Sequence, residues 1–191
     1  MNTDQVKKEK NNSVYPRLPA IASAAAGPSA ARFKAGTTMR TQSALEDVIE
    51  RLKGLLGDRS AGWKRPLPGR VYFTVRREDA REVGRMIFED IGARFVTASG
   101  SDLGEELEAL YHFSLDAVGL VVNMRVRTPK AEATLPSLTP VVPAAEWIER
   151  EMRDLVGITF EGHPRPERLI LSDDWPEGVY PLRKGAADER G

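Results

Sequence analysis

The stretch EWIEREMRDLVGITFEGHPRPERLILSDDWPEGVYPLRK, residues 146–184, begins with the pattern of an amphipathic helix. Apolar residues recur three to four positions apart, which predicts one buried helical face. These residues are Ala145, Ile148, Met152 and Leu155. The opposite face is expected to carry Glu146, Glu149, Arg150 and Arg153. Within that set, Glu149 and Arg153 have the spacing of a favourable ion pair. Pro143 suits the first turn, and Gly157 can adopt the left-handed conformation that ends a helix.

The remainder of the stretch, residues 162–184, is rich in residues that restrict the backbone. It holds four prolines, two glycines and one tryptophan, which favours a fixed extended path over another helix or a long strand. Trp175 and Leu182, beside Arg183 and Lys184, have the composition of a protein interface, where aromatic residues and arginine supply much of the binding energy. Trp175→Ala is therefore predicted to weaken assembly with a partner and to leave the isolated fold nearly intact.

The same stretch also contains an ordered series of residues: Glu149-Arg150-Glu151, Asp154, Gly157-Ile158, Phe160, Gly162-His163-Pro164, Asp174-Trp175 and Pro181-Leu182-Arg183-Lys184. This series resembles the signature of the 30 kDa subunit of respiratory complex I and of the corresponding small subunit of membrane-bound group 4 NiFe hydrogenases. A weaker likeness in the order of strands and helices extends back to about Thr41. Gly185 stands where the family usually has Asp. The Tyr111-His112-Phe113 strand and the short ending at Gly191 look more like the hydrogenase branch.

The resemblance implies a peripheral subunit of an energy-converting oxidoreductase, with no catalytic residue, metal or cofactor of its own. It implies docking on the large subunit, of the 49 kDa type or the NiFe type, next to iron–sulfur subunits. Iron–sulfur clusters and a NiFe site or flavin are then expected in the partners. Contact with the membrane is expected only through those partners, at the cytoplasmic face, and no nucleic acid is expected. The expected interface residues are Glu149, Arg150, Glu151, Asp154, Gly162, His163, Pro164, Asp174, Trp175, Tyr180, Pro181, Leu182, Arg183 and Lys184.

Composition limits the classes of protein that fit. With 191 residues and 41% hydrophobic content, the chain is long enough for one ordinary domain. It has no cysteine, which excludes a cysteine-ligated iron–sulfur cluster, a thiolate zinc site and a disulfide within this chain. No apolar run approaches the roughly 20 residues of a membrane-spanning helix.

Residues 1–40 differ in kind from the rest. They carry seven Lys or Arg against two Asp or Glu, so their charge of +5 balances −5 over residues 41–191. Their Ala, Ser, Pro and Gly content predicts disorder. A basic tail for anionic lipid or an acidic partner is one interpretation, and a transit peptide is disfavoured by Asp4 and Glu9. The favoured interpretation is that the segment is dispensable or that translation starts at Met39.

Residues 41–191 are expected to form one α+β domain, with a two-layer, mostly antiparallel sheet, helices on one face and an extended Pro/Gly-rich C-terminal track. A helix is predicted from Thr41, with Ser43 and Glu46 spaced as a capping box. A strand is predicted at 71–75, a helix from about Glu78, a short strand at 95–98, a polar loop at 99–106 and a hairpin over 111–126. Trp63 is placed in a loop, partly buried against the sheet, and a further short strand is expected around 135–138.

Few groups in the chain are suited to catalysis. His112 and His163 are the only histidines, and His112 is expected on the outer face of the sheet. A structural or interface role for His163 is favoured, for instance a hydrogen bond to a backbone carbonyl that fixes its loop. Glu151 and Asp154 are expected to bind Arg or backbone groups near the helix end. Two other classes stay open, a free-standing enzyme that uses His163 with Glu151 and Asp154, and an independent adaptor.

Overall fold

The computed structural model describes residues 42–185, and in that part of the chain five strands form one mixed sheet. These are β1 (Ser60–Leu67), β2 (Arg70–Val75), β3 (Arg94–Asp102), β4 (Glu106–Leu115) and β5 (Leu120–Pro129). Their order is β1-β2-β5-β4-β3, and every neighbouring pair is antiparallel except β2 with β5. Two short strands, β6 (Thr134–Pro136) and β7 (Thr159–Glu161), form a separate parallel pair.

Three α-helices accompany the sheet within residues 42–185. They are α1 (Gln42–Leu56), α2 (Ala80–Arg85) and α3 (Glu146–Val156). A wider helical turn over Met86–Asp90 continues α2. The predicted α+β class, with a mostly antiparallel sheet, is confirmed.

The pairing of β4 with β5 shows which residues lie on each face of the sheet. Tyr111 lies opposite Met124 and Phe113 opposite Val122, and all four side chains are buried. Because side chains alternate along a strand, His112 and its partner Asn123 lie on the other face. The predicted hairpin and the outer-face position of His112 are both confirmed.

The inner face of the sheet and the helices share one hydrophobic cluster. The apolar positions of α1, including Leu52 and Leu56, belong to it, as do Val83 of α2 and Met152 of α3. Trp63 stacks on Phe73 with ring centroids 4.4 Å apart, so it is half-buried against the inner face as expected. The second layer of the fold is therefore helical and lies on one side of the sheet.

Three local predictions are wrong. Trp63 lies in the edge strand β1 and not in a loop, because the ladder with β2 tolerates Gly62 and Pro66 through two register shifts. The predicted loop at 99–106 is largely strand, because β3 runs to Asp102 and pairs with β4 residue by residue. Helix α1 already includes Gln42, so Ser43 lies in its first turn and is not the capping residue.

The hypotheses on residues 1–40 lie outside the described residues. Within the described part, none of the helices has the length and apolar character needed to cross a membrane.

Candidate functional site

The buried face of α3 carries a carboxylate. Glu149 is 0% exposed, and its two oxygens accept four hydrogen bonds. The donors are the hydroxyls of Tyr111 (3.0 Å), Ser137 (2.5 Å) and Thr139 (2.9 Å) and the backbone N–H of Leu138 (2.7 Å). The prediction that Glu149 faces outward and pairs with Arg153 is wrong. The helix turns this position toward β4 and the 137–139 segment, where polar partners satisfy the carboxylate.

The alternation of apolar residues along β4 predicts that Tyr111 is buried, but it does not show that the Tyr111 hydroxyl donates a hydrogen bond to Glu149. Burial raises the pKa of its hydroxyl well above the usual value, and the neighbouring Glu149 carboxylate raises that pKa further. Tyr111 therefore stays protonated and donates. Sequence reasoning missed that Tyr111, Ser137 and Thr139 bind this carboxylate. The only signal for a polar contact there was weak: two hydroxyl residues flank Leu138 in a connector that contains several prolines.

His163 fixes the loop that follows α3. Its side chain is almost fully buried, its Nε2 lies 3.0 Å from the carbonyl oxygen of Glu146, and its Nδ1 accepts from the N–H of Arg165 at 3.1 Å. These partners fit the tautomer protonated on Nε2. The expected bond to a backbone carbonyl is confirmed. Nε2 also lies 3.9 Å from Glu149 Oε2, so the ring borders the buried carboxylate.

Asp154 binds the backbone of the segment 169–171. Its Oδ2 accepts from the N–H groups of Leu169 (2.8 Å), Ile170 (2.8 Å) and Leu171 (3.3 Å). The expected backbone role of Asp154 is confirmed. The same expectation is wrong for Glu151, which is half-buried and has no hydrogen-bond or ion-pair partner among residues 42–185. The two carboxylates thus have separate surroundings.

The C-terminal end of α3 is closed by Gly157, Tyr180 and Arg183. Gly157 has the left-handed conformation, with φ of 76°, as predicted. The Arg183 guanidinium donates to the carbonyl oxygens of Val156 (2.8 Å) and Gly157 (3.2 Å) and lies over the Tyr180 ring. A Cβ on Gly157 would come within 2.6 Å of that ring, so this position requires glycine for space as well as for conformation.

Further bonds attach residues 162–185, here called the C-terminal segment, to the domain. Arg150 donates to the carbonyl oxygens of Glu167 (2.9 Å) and Arg168 (2.8 Å), and Arg153 donates to that of Pro166. At the far end, Asp102 accepts from the N–H of Lys184 at 3.0 Å. Arginines of α3 therefore bind the backbone of this segment and not a carboxylate of their own helix.

Asp102 is a second carboxylate that sequence reasoning missed. It accepts from Lys130 Nζ (2.7 Å) and from the N–H of Gly104 (2.7 Å), in addition to Lys184. Burial raises its pKa, but these hydrogen bonds and the charge of Lys130 outweigh that effect and lower the pKa to about 2. Asp102 lies at the end of β3, far along the chain from residues 146–184, and no sequence pattern around it predicted that it would bind Lys130 and the backbone of Lys184.

The remaining predicted interface residues lie nearer the surface. Trp175 is half-buried and its indole N–H donates to the carbonyl oxygen of Val179 at 2.8 Å. Leu182 is 59% exposed. The other exposed members are Gly162, Pro164, Asp174 and Lys184, and Tyr180 and Pro181 are half-buried. Their interface role stays a prediction.

An open apolar groove lies beside the buried network. It is formed by β3, α3 and the C-terminal segment, and Trp147, Ile170 and Val96 are its exposed large apolar side chains. Glu151 contributes the one acidic side chain of the lining. Among residues 42–185, no group of three or more His, Asp or Glu side chains is placed to hold a metal ion.

Comparison with known sequences gives a family match. The family described as "Respiratory-chain NADH dehydrogenase, 30 Kd subunit" matches residues 73–189. The C subunit of NADH-quinone oxidoreductase from a Nocardioides species is 36% identical over 123 residues, which is 61% of this chain and 48% of that protein. The membrane-bound hydrogenase subunit beta of Pyrococcus furiosus is 37% identical over 126 residues, which is 64% of this chain and 71% of that protein. The chain spans about half the length of the Nocardioides protein.

A solved structure gives the same fold. A chain of the membrane-bound sulfane sulfur reductase, an archaeal respiratory membrane complex, aligns with a TM-score of 0.62 at 26% identity. The alignment covers 72% of this chain and 82% of that chain.

Proposed function

This chain belongs to the family of the 30 kDa subunit of respiratory-chain NADH dehydrogenase, and we propose that it is a non-catalytic, peripheral subunit of a membrane-bound, energy-converting oxidoreductase. Its relatives are subunits of NADH-quinone oxidoreductase and of a membrane-bound hydrogenase, so a multi-subunit complex is the common context. The chain's contribution is structural. It binds the large subunit and fixes the positions of redox centres that lie in other chains.

One observation carries the non-catalytic assignment. Near α3, Glu151 is unpaired among residues 42–185 but is the one titratable side chain that lines its groove. The other groups suited to acid–base chemistry have partners inside the chain: Glu149 accepts four hydrogen bonds, Asp154 accepts three, and both ring nitrogens of His163 are bonded. A general acid or base needs a free atom within reach of a substrate. These three side chains instead join α3 to its surroundings, which supports a fixed docking element.

The favoured complex is a group 4 hydrogenase, in which the partner is the NiFe-type large subunit. Support comes from the Pyrococcus furiosus hydrogenase subunit, whose match extends over 71% of its own length. The second candidate is NADH-quinone oxidoreductase (complex I), with this chain as its 30 kDa-type subunit, supported by the similarly identical Nocardioides protein. The structural relative from a sulfane sulfur reductase adds a third type of respiratory complex to be assayed.

We place the chain at the cytoplasmic face of the membrane, held there by partner subunits. The described helices are unsuited to span a bilayer, and the hydrogenase and sulfane sulfur reductase relatives belong to membrane-bound complexes. Iron–sulfur clusters and the NiFe site or flavin then belong to the partners.

Purification of the tagged chain from gently solubilised membranes of its native host tests the proposal. Partners are identified by mass spectrometry, and the preparation is assayed for hydrogen evolution, NADH oxidation and sulfane sulfur reduction. A NiFe large subunit with hydrogen evolution supports the favoured complex. NADH oxidation with flavin-containing subunits moves the chain to complex I. Recovery of the chain without redox subunits contradicts the proposal, and catalysis by the isolated chain would restore the enzyme hypothesis for His163.

A further inference from the structure

Most of the C-terminal segment contributes nothing to the core. None of residues 165–185, here called the strap, is buried. The strap also supplies no member of the hydrophobic cluster and none of the partly buried apolar residues packed against it. The last members of the cluster along the chain are Ile158 and Phe160. Because burial of apolar surface is the main source of folding free energy, the domain is expected to stay folded when the strap is detached.

Hydrogen bonds fasten the strap to the domain near both of its ends. Near its start, three charged side chains of α3 bind backbone groups of residues 166–171. Near its end, the N–H of Leu182 donates to the carbonyl oxygen of Leu155 at 2.9 Å, and Asp102 accepts from the N–H of Lys184 at 3.0 Å. Backbone hydrogen bonds with few buried apolar contacts are typical of units that open far below the free energy of global unfolding.

The strap has hydrogen bonds of its own between these two ends. The Arg168 guanidinium donates to the carbonyl oxygens of Ser172 (2.9 Å) and Trp175 (2.8 Å). The Trp175 indole in turn donates to the carbonyl oxygen of Val179 at 2.8 Å. These bonds do not involve the domain, so they are retained when the strap leaves it. The two fastened ends are therefore expected to open together and not one by one.

The residue that precedes the strap by two positions is anchored in a different way. The His163 side chain is almost fully buried and bonded to the carbonyl oxygen of Glu146. It therefore stays with the domain. Pro164, which follows, is exposed and has no N–H group to lose. The chain is thus able to leave the domain directly after His163.

We propose that the strap opens from α3 as one unit while the rest of the domain stays folded, and that the groove beside α3 is complete only while the strap is closed. Leu169 and Ile170 form the strap side of the groove, and Asp154 holds their N–H groups. Asp154 therefore controls the groove without lining it. The strap is a property of this chain alone, so failure of this proposal would leave the proposed function unchanged.

Hydrogen exchange of single amides in the wild-type, full-length chain tests the opening. The amides of Ile170 and Leu182, at opposite ends of the strap, are expected to share one opening equilibrium. Relative to their intrinsic rates, they should exchange about a hundredfold or more faster than amides of the β4–β5 hairpin. Between 0 and about 1 M urea the strap amides should change by less than about twofold, because opening exposes little surface, whereas hairpin amides should accelerate about tenfold.

Two results of that experiment overturn the proposal. Strap amides that exchange at the hairpin rate, with the hairpin's dependence on urea, would mean that the strap opens only when the whole chain unfolds. Different opening equilibria at Ile170 and Leu182 would mean that the strap is not one unit.

Asp154→Ala tests whether the two ends are connected. Loss of the charged acceptor is expected to accelerate exchange about a hundredfold at Ile170, which Asp154 binds, and equally at Leu182, which it does not bind. Asp173→Ala removes an exposed carboxylate of the same strap and is the matched control, expected to exchange as wild type. Acceleration at Ile170 with an unchanged rate at Leu182 would contradict a single unit.

Spin labels test the state of the groove. The chain has no cysteine, so a pair of nitroxides placed by Val96→Cys and Ile170→Cys reports the distance from β3 to the strap across the groove. A second pair, from Val96→Cys and Trp147→Cys, lies within the domain and is the control. In an Asp154→Ala background the first pair is expected to gain a longer and broader distance component, and the second pair is not. An unchanged first pair, or a change in both pairs, would refute control of the groove by the strap.

Discussion

Helix α3 presents two contrasting regions. Toward the domain it buries Glu149, and toward the surface, two residues earlier, it exposes Trp147. An ordinary amphipathic helix does the opposite, burying apolar side chains and exposing charged ones. The buried region uses its hydrogen bonds within the chain, whereas the exposed region has apolar surface that no described residue covers. The contrast teaches that charged residues conspicuous in the sequence hold this fold together, while the side chain that the helix exposes most is apolar.

Removal of the buried carboxylate is expected to destabilise the chain most. Glu149→Ala leaves three hydroxyls and one backbone N–H without their acceptor. Each unsatisfied buried donor costs about 1–3 kcal/mol, and partial entry of water lowers the sum, so we expect a loss of about 4 kcal/mol in the free energy of unfolding. Urea denaturation of the purified chain measures it.

Glu151→Ala is the matched control for that prediction. It removes a carboxylate from the same helix, but one without a bonded partner among the described residues. Its effect on unfolding is expected to stay within about 0.5 kcal/mol. Equal destabilisation by both substitutions would contradict the assignment of the two faces.

Asp154→Ala is expected to lower the free energy of unfolding by about 3 kcal/mol, because three backbone N–H groups lose a charged acceptor. Part of the effect is expected to be confined to the strap, whose backbone Asp154 binds. Hydrogen exchange at Leu169, Ile170 and Leu171 should accelerate strongly, whereas exchange in the β4–β5 hairpin should follow global stability alone. Asp173→Ala, an exposed neighbour, is the control. Unchanged protection at 169–171 would show that Asp154 does not hold this part of the segment.

Asp102 provides a test that depends on pH. Its pKa is lowered to about 2 in the folded chain, against about 4 for an ordinary Asp. A lowered pKa stabilises the folded state above the unfolded pKa, and that contribution disappears as pH falls through the folded value. Asp102→Asn is therefore expected to be about 2 kcal/mol less stable than wild type at pH 7, with the difference shrinking between pH 4 and pH 2. A stability difference between Asp102→Asn and wild type that stays constant between pH 4 and pH 2 would show that the lowered pKa of Asp102 does not contribute to folding.

Sequence reasoning recovered the fold where periodicity was strong. The leucines of α1 and the alternation of Tyr111 and Phe113 indicated a helix and a hairpin, and Gly157 marked the end of α3. It failed at β1, because strand pairing overrode the local signals of Gly62 and Pro66. It also placed Glu149 outside, because helical spacing distinguishes faces only by hydrophobicity and carries no information on distant donors such as Tyr111.

The exposed side of α3 is expected to contribute least to stability. Trp147→Ala removes the largest exposed side chain of this helix. The Arg150 guanidinium lies over its ring, 6.0 Å from the ring centroid. Because most of its surface is already in water, we expect a change in the free energy of unfolding within about 0.5 kcal/mol, measured by the same urea titration. A loss near that of Glu149→Ala would mean that the indole supports the fold.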